Sequence, residues 1–112
     1  MQDECNSQTV DPEYFTRSLD ELDSIEWPKL WARPCLDARQ RSLISIGIVA
    51  AQGRFEELAS QVVGALNSGC TKEEIQEAIF QAAPFGGREV ARKALHTADA
   101  AVKRLARWRP RG

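Results

Sequence analysis

A chain of 112 residues and 12.5 kDa has room for one hydrophobic core and little besides, so a second domain is not expected. With 15 Lys and Arg against 16 Asp and Glu, the net charge of −1 removes the electrostatic argument for a nucleic-acid partner. No apolar run approaches the ~20 residues that cross a bilayer, and the opening MQDECNSQ has neither a basic nor an apolar leader region, so an untargeted cytoplasmic protein away from the membrane is expected.

Residues 1–10 are polar and without period, and read as a disordered tail ahead of a single domain over 11–112. Cys5, Cys35 and Cys70 are odd in number and widely spaced, which fits neither a disulfide framework nor a zinc site and suits a reducing compartment. The stretch DPEYFTRSLDELDSI places Asp11 as an N-cap and Pro12 at the first helical position. Phe15, Leu19 and Leu22 then give it an amphipathic stripe. Pro28 and Pro34 interrupt the next segment, in which Trp27, Leu30 and Trp31 supply large apolar surface to a packed, irregular or briefly helical connection.

The stretch Leu36 to Gly69 is the organising element, a helical hairpin. Its first helix, capped by Asp37, carries Leu43, Ile44, Ile46, Ile48, Val49, Ala50 and Ala51 with hardly a polar break, the pattern of an element covered on most sides. Gly53 ends it. The second helix repeats Phe55, Leu58, Ala59, Val62, Ala65 and Leu66 at spacings of three and four. Chemistry is expected at the two-residue turn between them, where Arg54, Glu56, Glu57 and Gln61 gather. Arg39 and Arg41 sit against the macrodipole at the helix start, which an anion or a neighbouring carboxylate would explain.

Thr71 and Glu74 form a capping box for a fourth helix with Ile75, Ala78, Ile79 and Ala82 on its buried face. Pro84-Phe85-Gly86-Gly87 should break the chain before a long last helix with a small-residue seam at Ala91, Ala94, Ala98 and Ala101. Its basic end, Lys103, Arg104, Arg107, Arg109 and Arg111, suits a helix C-terminus, and the lone His96 reads as a surface or packing residue. The period argument therefore gives an all-α domain of five to six helices. A central helix apolar on nearly every side in so small a chain also implies that copies of the chain cover one another.

The run Trp27…Trp31-Ala32-Arg33-Pro34-Cys35-Leu36-Asp37…Arg41-Ser42-Leu43, with Ala50-Ala51-Gln52-Gly53-Arg54, Glu56-Glu57-Leu58, Gly64 to Gly69, Thr71…Glu73-Glu74-Ile75 and Ala82 to Gly87, resembles the carboxymuconolactone decarboxylase family, with its alkyl hydroperoxidase D-like fold. That resemblance implies an all-α fold on a central hairpin, a homo-oligomer of three or six subunits, no cofactor and no metal. It also implies loss of carbon dioxide from a small carboxylated lactone, or, in a redox branch, peroxidase chemistry at a Cys-x-x-Cys pair. This chain departs from both patterns. Gln61 stands where decarboxylase members have histidine, and Arg54 and Glu57 stand where the redox branch has its cysteines.

Cofactor-free decarboxylation needs an electron sink in the substrate, a group to hold its carboxylate and a proton for the carbanion. Arg33 or Arg41 could hold the carboxylate. Trp27, Trp31 and Phe85 could wall the pocket, and Gln61 and Gln81 could polarise a carbonyl. Glu57 could serve as acid or base if burial raises its pKa. The structural alternatives are tryptophans as core anchors, an Arg41–Glu57 ion pair between helices, and Gln61 as an interface hydrogen bonder. The expected function is decarboxylation, isomerisation or cyclisation of a small carboxylated or lactone-type cyclic metabolite. A non-catalytic binding or assembly protein is the alternative, and a thiol-dependent peroxidase partner a weaker one.

Overall fold

The computed structural model describes Cys5 and residues 7–108, so the rest of the expected tail, and Arg109 and Arg111 of the basic end, lie outside the described residues. Among the described residues, five α-helices and one 3₁₀ helix succeed one another: α1 Tyr14–Ser24, the 3₁₀ helix Trp27–Ala32, α2 Ala38–Ala51, α3 Phe55–Asn67, α4 Lys72–Gly86 and α5 Arg88–Trp108. No strand occurs among the described residues. The chain forms two compact units, one running to Ala38 and the other from Arg39.

In the first unit, α1 starts at Tyr14, later than the Asp-Pro signal suggests. Asp11 accounts for the delay. Its carboxylate accepts from the Glu13 N–H at 3.1 Å and its carbonyl from the Tyr14 N–H at 3.2 Å, so Asp11 and Pro12 make a turn ahead of the helix. Arg17 pairs back onto Asp11. No residue of α1 or of the 3₁₀ helix is buried. Cys5 and Cys35 are joined in a disulfide, with their Cα atoms 5.1 Å apart, against the expectation of separate thiols. Wide spacing in sequence had argued against a bridge, but the chain between them doubles back through α1 and the 3₁₀ helix.

The second unit is built as its pattern requires. Ile46, Leu58, Val62 and Ile79 are the largest fully buried side chains, drawn from α2, α3 and α4. Ala91, Ala94 and Ala101 bury the α5 seam, and α5 packs on both α3 and α4. The α2–α3 turn has three residues, Gln52, Gly53 and Arg54, rather than two, with Gly53 in the left-handed region at φ 69°. The capping box of α4 is complete: the Glu74 N–H donates to Thr71 Oγ1 at 3.0 Å and the Thr71 N–H to Glu74 Oε1 at 2.9 Å.

Pro84 does not end α4. It removes one N–H but keeps a helical φ, the Gly87 N–H donates to the Ala83 carbonyl at 2.8 Å, and the chain turns away only at Gly87. The extra turn brings Gly86 against the end of α2. A Cβ there would lie 2.5 Å from the Ala51 carbonyl oxygen and 2.9 Å from its Cα, both of them backbone atoms. Gly86→Ala is therefore expected to cost about 1–3 kcal/mol, read as a lower urea midpoint at unchanged slope. Gly47→Ala is the control, because its Cβ would meet the Ala78 carbonyl oxygen at an ordinary 3.8 Å.

Candidate functional site

Three contacts set α2 beside α4. Arg39 pairs with Glu74, Gly47 faces Ala78, and Gly86 touches Ala51. Low numbers on α2 meet low numbers on α4, so the two helices run in the same direction. The ion pair pins one end and the glycine contact the other. At the pinned end the Glu74 carboxyl is held below its ordinary pKa, chiefly by the Thr71 N–H and then by the Arg39 guanidinium, with desolvation opposing.

Between the pins lies a cleft of about 740 Å³. Leu43, Ile44 and Ile48 of α2 and Ala78, Ala82 and Phe85 of α4 form its apolar walls, and Glu73, Glu77 and Gln81 its polar side. Ile44 is 49% exposed, Ile48 51% and Phe85 80%, so the expected cover of α2 on most sides is not supplied by a single chain. Glu73, Glu77, Gln81 and Phe85 repeat at intervals of four and share one face of α4.

The candidate residues divide. Gln81 and Phe85 line this cleft, whereas Arg41, Glu57 and Gln61 do not. Arg41 is half-buried near the start of α2, about ten residues or ~15 Å of helix from the turn where Glu57 lies. An Arg41–Glu57 pair is not the arrangement found: Glu57 pairs with Arg54 one turn away, and Arg54 also donates to Gln52 Oε1 at 3.2 Å. Glu57 is exposed in the single chain, so the burial expected of an acid–base glutamate is not present there, the turn being at the surface. Gln61 is half-buried on the next turn of α3. In the N-terminal unit, Trp27 and Trp31 are 64% and 39% exposed and are not core anchors, and Arg33 pairs with Glu21 at 3.0 Å.

Glu73 and Glu77 are not among the candidate site residues, although their four-residue interval with Gln81 and Phe85 is legible in the sequence. His96 is exposed on α5, as expected. Cys70 is buried, and its Sγ donates to the Arg39 carbonyl at 3.4 Å. A buried thiol and a disulfide pair in another unit do not make a Cys-x-x-Cys centre. Among the described residues no group of three or more His, Cys, Asp or Glu side chains could hold a metal ion, and no helix is long and apolar enough to cross a membrane.

Residues 18–100 match the carboxymuconolactone decarboxylase family. The chain is 28% identical to a 4-carboxymuconolactone decarboxylase of Acinetobacter baylyi, over 91% of its own length and 84% of that protein's. It is 42% identical to a nitrosuccinic acid decarboxylase of Metarhizium robertsii over 65% of its length, and 44% identical to an uncharacterized 15.0 kDa protein of Paracoccus denitrificans over 63%. It spans about half the length of these last two, 52% and 54%.

Proposed function

Because the chain belongs to the carboxymuconolactone decarboxylase family, we propose that it is a cofactor-free decarboxylase, or an isomerase or cyclase of related chemistry, acting on a small carboxylated or lactone-type compound. The observation that carries this reading is the family match over residues 18–100, which takes in every candidate residue and the whole α2–α4 cleft.

The names of two relatives give the substrate class a common chemistry. A nitro group and an unsaturated lactone are both electron sinks, able to take the electron pair left when a nearby carboxylate departs as carbon dioxide. In the proposed sequence Arg41 or Arg33 holds a carboxylate, and Gln61 and Gln81 donate to the oxygen on which charge gathers. The C–C bond electrons pass into the sink, carbon dioxide leaves, and Glu57 returns a proton to carbon. Trp27, Trp31 and Phe85 wall the substrate. An apolar wall favours a step in which a localised carboxylate charge becomes spread.

Arg41, Glu57 and Gln61 stand away from the cleft that holds Gln81 and Phe85, so we place the complete site between copies of the chain in a trimer or hexamer. The exposed Ile44, Ile48 and Phe85 are the surface such an assembly would cover. Carbon dioxide release from 4-carboxymuconolactone and from nitrosuccinate, with native mass measured alongside, tests this. Release from at least one, by an oligomer, is expected. A chain that releases none from either is not this decarboxylase. Gln61 in place of histidine and the Arg54–Glu57 pair favour a second reading, a binding protein of the same fold, which would bind such acids without turning them over.

A further inference from the structure

The described residues of the N-terminal unit form no core of their own. Among its described residues, Cys5 and 7–38, none is buried, and Phe15, Leu19, Leu22 and Trp27 stand more than half exposed. Helical hydrogen bonds are local and the surface ion pair of Arg33 with Glu21 contributes little. The covalent tie between the two ends of the unit is the Cys5–Cys35 disulfide, which spans 30 residues. Cys35 also sits at φ 80°, a left-handed conformation that residues other than glycine rarely adopt and readily leave once unconstrained. The second unit differs in kind, with a buried cluster from Ile46 to Ala101 and its one cysteine, Cys70, buried and outside any disulfide.

We propose that the Cys5–Cys35 disulfide is a redox-operated lock on the N-terminal unit. Closed, it holds the segment that carries Trp27, Trp31 and Arg33; opened, it releases that segment while the second unit stays folded. The reductant is a dithiol. One of its thiolates attacks a sulfur of the bridge, the S–S bond breaks and a mixed disulfide forms. Its second thiol then displaces the other cysteine. Two electrons pass from the dithiol to the bridge, Cys5 and Cys35 end as thiols carrying the dithiol's two protons, and the reductant leaves as a disulfide. Cys35 is exposed and open to attack, whereas Cys70 is buried and takes no part. That the lock also governs substrate binding rests on the proposed role of Trp27, Trp31 and Arg33 in the substrate site.

The full chain, oxidised and after dithiothreitol, decides the matter together with a Cys35→Ser variant. Thiol titration in denaturant should find one thiol before reduction and three after. Amides of α1 and the 3₁₀ helix should exchange roughly tenfold faster in the reduced chain and in the variant, with those of α3, α4 and α5 unchanged. Three thiols before reduction, or equal exchange in both states, overturns the lock. Faster exchange with unaltered substrate affinity upholds the lock and removes the three side chains from the substrate site.

Discussion

A Glu57→Gln variant should keep the native mass and melting profile of the parent and lose turnover by roughly a hundred- to ten-thousandfold, the contribution of a positioned general acid or base. The fold is expected to survive because the exposed Arg54–Glu57 pair it removes is three residues apart on a surface turn, where such pairs contribute at most about 1 kcal/mol. Gln keeps the shape and hydrogen-bonding capacity of Glu but cannot exchange a proton near neutral pH. Glu56→Gln is the control, since Glu56 is also exposed in the first turn of α3 and takes no part in the proposed reaction. If Glu57→Gln turns over as fast as the parent, proton transfer belongs to another group and the assignment fails.

Ile79→Ala should produce the largest loss of stability, about 2–5 kcal/mol, a sizeable share of what a domain this small possesses. Ile79 is 0% exposed on α4 and shares its cluster with Ile46, Leu58, Val62 and Ala94, so the lost methyl groups leave a cavity that helices on several sides must close. A lower urea midpoint with the slope retained is the expected signature. Ile44→Ala makes the informative partner. In one chain Ile44 is half exposed and its truncation should cost little. A loss that grows with protein concentration would show Ile44 buried between copies, as proposed for the assembled site.

The helical layout was readable because each device behind it is local. The period of Phe55, Leu58, Val62 and Ala65 and the Thr71–Glu74 box depend on residues within a turn or two of each other. Where the pattern misled, a non-local or competing contact decided. Pro84 stayed inside α4 because its missing N–H removes only one bond near a helix end that packs on Ala51. Asp11 spent its acceptors on a turn and delayed α1. The Cys5–Cys35 bridge depends on a chain reversal that no spacing announces, and it takes away the argument from unpaired thiols for a reducing compartment. The site was less legible than the fold. Phe85 stands in a motif of the family resemblance and Gln81 is suggested by its amide chemistry, while Glu73 sits in the acidic first turn of α4, where a carboxylate already has a reason to be.

Arg54 and Glu57, which stand where the family resemblance implies the redox branch would place its cysteines, are joined here as an ion pair. An interval of three at a helix start brings two side chains together whatever they are, so the same backbone can close on a covalent bond or on opposite charges. Exchanging one for the other changes what the turn responds to. Here the fastening is indifferent to oxidants and sensitive to ions: at physiological salt, charges are screened over about 8 Å, and at 1 M over about 3 Å. The neighbourhood of Glu57 should thus loosen with ionic strength, making salt rather than electron supply the variable that tunes this end of the hairpin.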